Sequence, residues 1–139
     1  IEALNRALDG VTGTTAVHIC FGYAAIIHER PTGYSFLPEL SACGCQQVSV
    51  ETAQSNLDCA VLEALGDKQV MVGCLDLSSH EIESPDTIVQ RIKKALEHIK
   101  PEQVILAPDC GLKYLPRQVA DGKLAAMVQA AKVLREEFA

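Results

Sequence analysis

Four side chains in this sequence are of the types that hold a borderline-soft metal ion: His18, Cys20, Glu51 and Cys110. Each closely follows a short apolar run, Thr15–Val17, Val48–Val50 or Val104–Ala107. In a chain of alternating strands and helices that place is the C-terminal end of a strand, where sites collect. Two thiols, an imidazole and a carboxylate complete a four-ligand set for zinc. His18-Ile19-Cys20 spaces two of them at i and i+2, so a strand turns both to one face. Three anionic donors around a dication leave the site electron-rich. Such a site activates water poorly, but it holds an incoming thiol as a thiolate that stays nucleophilic. The chemistry expected is alkyl transfer to sulfur.

Those residues need elements to position them. Ile1–Leu8 has helical spacing, and Ala16–Cys20 reads as a strand. A long loop from Phe21 to about Tyr34 follows, then a short helix over Ser35–Ala42 with Pro38 in its first turn. Gln47–Glu51 is a strand, and Asn56–Leu65 a helix with Ser55 or Asn56 as cap and Gly66 as terminator. Gln69–Asp76 is a strand. Pro85–Ile99 is an amphipathic helix capped by Ser84, its stripe formed by Ile88, Ile92, Ala95, Leu96 and Ile99. Gln103–Ala107 is a strand, and Lys123–Phe138 the last helix, with Leu124, Met127, Val128, Ala131 and Leu134 inward.

Strands and helices alternating at roughly 30 residues per unit imply parallel βαβ units. The fold class is therefore α/β, with four βα units, half of a (βα)8 barrel; a small open doubly wound sheet is the alternative. No Gly-rich phosphate turn follows any strand, which argues against a nucleotide-binding fold.

Composition narrows the classes further. A hydrophobic fraction of 48% is ample for a core over 139 residues, so one domain or a piece of one is expected. The net charge of −6, without basic clusters, points away from nucleic acid and anionic membranes. No apolar run approaches the ~20 residues of a membrane span. The chain opens on Ile1 inside a helix-like stretch, as a fragment or processed product would. Six cysteines in so long and helical a chain fit a reducing cytoplasm better than a disulfide framework.

Three stretches carry a resemblance. Val17-His18-Ile19-Cys20-Phe21-Gly22, Val50-Glu51-Thr52 and Ala107-Pro108-Asp109-Cys110-Gly111-Leu112-Lys113 are similar to the catalytic domain of cobalamin-independent methionine synthases. Gly73-Cys74-Leu75-Asp76 and the run Lys123–Ala131 fit the same pattern. The resemblance spans about Ala16 to Arg135, and Pro-Asp-Cys-Gly-Leu-Lys is its most specific element. It implies a (βα)8 barrel, of which residues 1–139 would be the C-terminal half, and zinc held by His18, Cys20, Glu51 and Cys110. It also implies methyl transfer to a small-molecule thiol, homocysteine above others.

The sequence departs from the family in two places. Relatives that use methyltetrahydrofolate carry a His after the third strand, in Asp-Ile-His-Ser; here Asp76-Leu77-Ser78-Ser79 puts Ser78 in that place. Asp76 and His80 are the candidate catalytic residues of this stretch, with His80 as a possible replacement and an exposed loop histidine as the plainer reading. The methyl donor stays open between folate, another methyl compound and an epoxide. The loop Phe21–Tyr34 is longer than usual, and Tyr23, His28, Glu29 and Arg30 are candidates for substrate contact. Asp109 and Asp76 are candidates for orienting ligands or receiving a proton, with turn capping as the alternative.

Cys43-Gly44-Cys45 looks like a metal motif but precedes a strand, so it belongs at the opposite rim, ~17 Å away. A tight turn around Gly44 is the reading there. Cys59 and Cys74 read as core, and His98 as a partner of its helix C-terminus. A half barrel leaves two open sheet edges, so the missing N-terminal half, or a second copy of the chain, is expected as partner. A non-catalytic zinc-binding module is the competing functional class.

Overall fold

The computed structural model describes residues 1–22 and 34–138. Three α-helices and four strands follow one another: α1 (Glu2–Leu8), β1 (Ala16–Ile19), β2 (Gln47–Glu51), β3 (Gln69–Leu75), α2 (Pro85–Leu96), β4 (Val104–Pro108) and α3 (Arg117–Glu137). Short 3-10 helices fill the connections at Pro38–Ala42, Cys59–Leu65 and Pro101–Gln103. All strand pairs are parallel, and the sheet order is β1-β2-β3-β4. A doubly wound sheet reverses its order at a switch point. This one never does, so it is wound in one sense, as four consecutive units of a barrel are.

The register aligns Ile19 with Val50, Val50 with Val72 and Val72 with Leu106. The C-terminal ends of all four strands therefore share one rim. The core lies around the two central strands: Val48, Val50, Val70 and Val72 are fully buried against Leu62, Leu65, Ile88 and Ile92. The outer strands are wetter. Residues of β1 alternate between exposed and half-buried, and every residue of β4 is half-buried. That gradient is what two edges without a further strand among the described residues leave.

Ser84 caps α2 as its sequence suggests, accepting from Thr87 N–H at 3.2 Å. Three expectations are corrected. The segment before Leu65 is a 3-10 helix that begins only at Cys59, because Asp58 caps it by accepting from Ala60 N–H at 3.0 Å. Asn56 instead turns the chain with a φ of 46°, a region asparagine tolerates better than most. The last helix starts at Arg117, six residues before the expected Lys123. Gly122 is no boundary: it lies inside α3 where Ile82 packs directly on its Cα, and a Cβ there would collide with Ile82. On the same helix Leu124, Met127 and Leu134 face the core as expected, but Val128 is 51% exposed and Lys123, not among the expected inward residues, is 0% exposed.

Candidate metal centre

The site begins with β1. His18 pairs with Ser49 across the β1–β2 ladder, and its Nδ1 lies 2.9 Å from Ser49 Oγ. That bond orients the ring and leaves Nε2 as the nitrogen for an ion, the usual arrangement of a metal-binding histidine. Partial burial lowers the His18 pKa, favouring the neutral imidazole that acts as ligand. Cys20 is the first residue after β1, and Cys110 the second after β4. Their Sγ atoms are 3.8 Å apart, and the donor atoms of His18, Cys20 and Cys110 all lie within 4.8 Å of one another.

The donor set fits zinc. Two sulfurs placed tetrahedrally at about 2.3 Å from one zinc stand ~3.8 Å apart. Burial pushes the Cys110 thiol up, and the nearby Cys20 and Glu51 push it the same way, against the help of Gly111 N–H. A dication reverses that balance by stabilising the thiolate. Glu51 ends β2 and is fully buried. Its charge acts on Cys110, although its carboxylate is not among the atoms within the 4.8 Å spacing.

Behind the ligands the backbone is tied down. Asp109, fully buried beside Cys110, accepts from the N–H groups of Thr52 at 3.3 Å, Ala53 at 3.1 Å and Gln54 at 2.6 Å. It thereby fastens the turn after Glu51 to the residue before Cys110. Burial raises its pKa in spite of these bonds. The carboxylate sits against the bare Cα of Gly73, where a Cβ would collide with it and come within 2.8 Å of the Val50 carbonyl. Tyr34 hydroxyl accepts from Glu51 N–H at 3.1 Å and donates to Ile19 C=O at 3.3 Å.

Asp76 and His80 occupy the loop between β3 and α2. Asp76 Oδ1 accepts from Ser78 N–H at 2.8 Å and Ser78 Oγ at 2.6 Å, so the carboxylate caps that turn. His80 is exposed. Beneath this loop is a charge network that single-sequence reasoning does not reach. Lys123 Nζ donates to Glu83 Oε2 at 2.7 Å and Asp76 C=O at 2.9 Å. Glu83 Oε1 accepts from Asp76 N–H at 2.8 Å and from Arg91 at 3.1 Å, while Arg91 also donates to Cys74 C=O at 2.9 Å. Burial alone would raise the Glu83 pKa, but the bonds from Lys123, Asp76 N–H and Arg91 together bring it below the ordinary value.

Three of the four expected ligands are thus brought together, and Glu51 stands at the adjoining strand end. Tyr23, His28, Glu29 and Arg30 lie outside the described residues. The sequence reading missed Ser49, which stands out only as the polar residue within the Val48–Val50 run. It also missed Tyr34, one of two tyrosines between the first two strands.

Fold and site together define a parallel α/β half-barrel with two thiols and an imidazole, donors of the kind that hold a metal, gathered at its C-terminal rim. Residues 14–133 match the family described as the catalytic domain of cobalamin-independent synthases. The chain is 33% identical over 139 residues to a methionine synthase of Sulfurisphaera tokodaii, covering 99% of this chain and 38% of that protein. It is 36% identical over 141 residues to one from Saccharolobus islandicus, covering 99% and 40%. The solved B12-independent methionine synthase from Shewanella sp., in complex with selenomethionine, superposes with a TM-score of 0.88 at 28% identity, over 98% of this chain and 42% of that one. The chain belongs to the cobalamin-independent methionine synthase family. It spans about two fifths of the length of the relatives it matches.

Proposed function

We propose that this chain supplies the zinc-binding, C-terminal half of a barrel that transfers a methyl group to the sulfur of homocysteine. The observation that carries the reading is the convergence of His18, Cys20 and Cys110, whose donor atoms lie within 4.8 Å of one another with the two sulfurs 3.8 Å apart. The family supports the reaction class, and relatives named methionine synthase support the acceptor. Zinc, when bound, supplies a Lewis acid that lowers the pKa of a thiol beside it. The chain's own residues do the rest. Ser49 orients the His18 ring. Cys20 and Cys110 provide anionic sulfur, and Glu51 is the fourth ligand of the proposal. Their combined negative charge keeps an acceptor sulfur electron-rich rather than quenching it. Asp76 and His80, on the same rim, are the groups proposed to handle a proton at the methyl donor. Ser78 spends its hydroxyl on Asp76, so the donor is left to experiment: a folate or another alkyl compound.

X-ray absorption on the zinc-loaded chain, with and without homocysteine, tests this. A new sulfur scatterer is expected when the thiol is added. An unchanged shell would identify a closed, structural zinc module instead.

The proposal includes a partner. The β1 and β4 edges carry no further strand among the described residues. Beside β4 a groove of about 660 Å³ runs between Ile105, Leu106, Met127, Val128 and Phe138. The remaining βα units, present in relatives more than twice as long, are the proposed occupant. Light scattering of the isolated chain should then show self-association, and a well-packed monomer would contradict it. Six free cysteines support a reducing, cytoplasmic setting.

A further inference from the structure

We infer that Tyr34 is a positioning residue of the metal centre: its hydroxyl sets the spacing between the strand ends that carry Cys20 and Glu51. The inference rests on the zinc reading above and extends it to a residue that is not itself a ligand. The last ladder pair between β1 and β2 is Ile19 with Val50. A parallel ladder continues by bonding the carbonyl of one residue to the N–H that follows its partner. With Gln47 N–H bonded to Thr15 C=O at 3.1 Å, the alternation makes Ile19 C=O and Glu51 N–H the groups of the last rung. The Tyr34 hydroxyl stands at that rung, accepting from Glu51 N–H at 3.1 Å and donating to Ile19 C=O at 3.3 Å.

A hydroxyl bonded to both backbone groups ties the two strand ends together. The tie lies next to the proposed ligands, since Ile19 precedes Cys20 and Glu51 itself is the other end. The phenol is held at the other side as well. Tyr34 is 3% exposed, stacked on Phe21 at 4.3 Å between ring centroids and met edge-on by Phe36 at 6.0 Å. Burial, with the charges of Glu51 and Asp109 nearby, keeps its hydroxyl protonated and able to donate. With Asp109 on the far side of Glu51, the ties run Cys20, Tyr34, Glu51, Asp109, Cys110, one buried side chain between each pair of ligand-bearing ends. If Tyr34 served only as a core aromatic, phenylalanine would do as well. The two backbone bonds distinguish the cases.

The test compares the whole chain with Tyr34→Phe. Zinc affinity is read by chelator competition, and geometry by the visible bands of the cobalt(II) form. Loss of a partner that orients metal ligands costs about 10–100-fold in affinity. We expect a loss in that range, with altered cobalt bands and an unchanged far-ultraviolet circular dichroism spectrum. Wild-type affinity and an unchanged cobalt spectrum in Tyr34→Phe would overturn the proposal. Failure of both proteins to bind either metal would overturn the zinc reading with it. A second measurement needs no variant. In the wild-type chain the Glu51 amide should exchange with solvent as slowly as those of Val50 and Gly73. A fast Glu51 amide between slow neighbours contradicts the bond from Glu51 N–H to the Tyr34 hydroxyl, however the variant behaves.

Discussion

Two pairs of cysteines lie at opposite ends of the same four strands, and they do different work. Cys20 and Cys110 are ninety residues apart in sequence, yet their sulfurs are 3.8 Å apart at the C-terminal rim, with His18 beside them. Cys43 and Cys45 are separated only by Gly44, precede β2, and are 3% and 2% exposed. Their charged neighbour is Lys68, whose Nζ donates to the carbonyls of Cys43 at 2.6 Å and Cys45 at 2.9 Å. That ammonium braces a turn, and no group of three metal-type donors forms there among the described residues. The compact motif is the structural one. Donors converge where separate strand ends meet, because each strand delivers one or two side chains to a shared rim and the following loops are free to face inward.

The largest expected effect sets the two pairs against each other directly. Cys110→Ser should lower bound zinc at least tenfold, on the order expected for ligand-sphere loss, by plasma mass spectrometry of the purified chain. Cys45→Ser should leave zinc at the wild-type level and cost stability alone, roughly 1 kcal/mol. Equal zinc loss in both would erase the distinction.

The glycines sharpen the contrast at a smaller scale. Gly73→Ala drives a methyl group into Asp109 and the Val50 carbonyl, with an expected cost of about 1–3 kcal/mol in urea unfolding. Gly44→Ala, whose Cβ would meet only Asn5 Oδ1 at 3.5 Å, should stay within ~0.5 kcal/mol. The smallest effect is one of pH. Glu83 has a folded pKa below its ordinary value of 4.5. Its contribution is therefore complete above that pH and is lost as pH falls through the lower, folded value. Glu83→Gln should flatten the stability profile in that acid window, and an unaltered slope would show that the carboxylate is not held by Lys123 and Arg91.

The candidate ligands were legible because strand ends announce themselves as apolar runs followed by a reactive side chain. His18, Cys20, Glu51 and Cys110 all carry that signature, as does the winding of four parallel strands. The supports were not legible. Lys123 and Glu83 look like ordinary solvated charges until two helices and a loop fold over them. Ser49 matters only once the register sets it opposite His18. Gly122 in α3 and Asp58 before the second 3-10 helix moved element boundaries for the same reason: a packing partner or a side-chain cap, absent from local pattern, decides where a helix starts.

The open edge of β4 has a consequence for the kinetics of assembly. When the remaining strands are carried on the same polypeptide, they meet this edge at an effective concentration in the millimolar range, whatever the cellular level of the protein. Closure is then first order. When they arrive on a separate chain, closure is second order and competes with pairing between copies, whose rate grows as the square of concentration. Dilution alone would tell the two regimes apart.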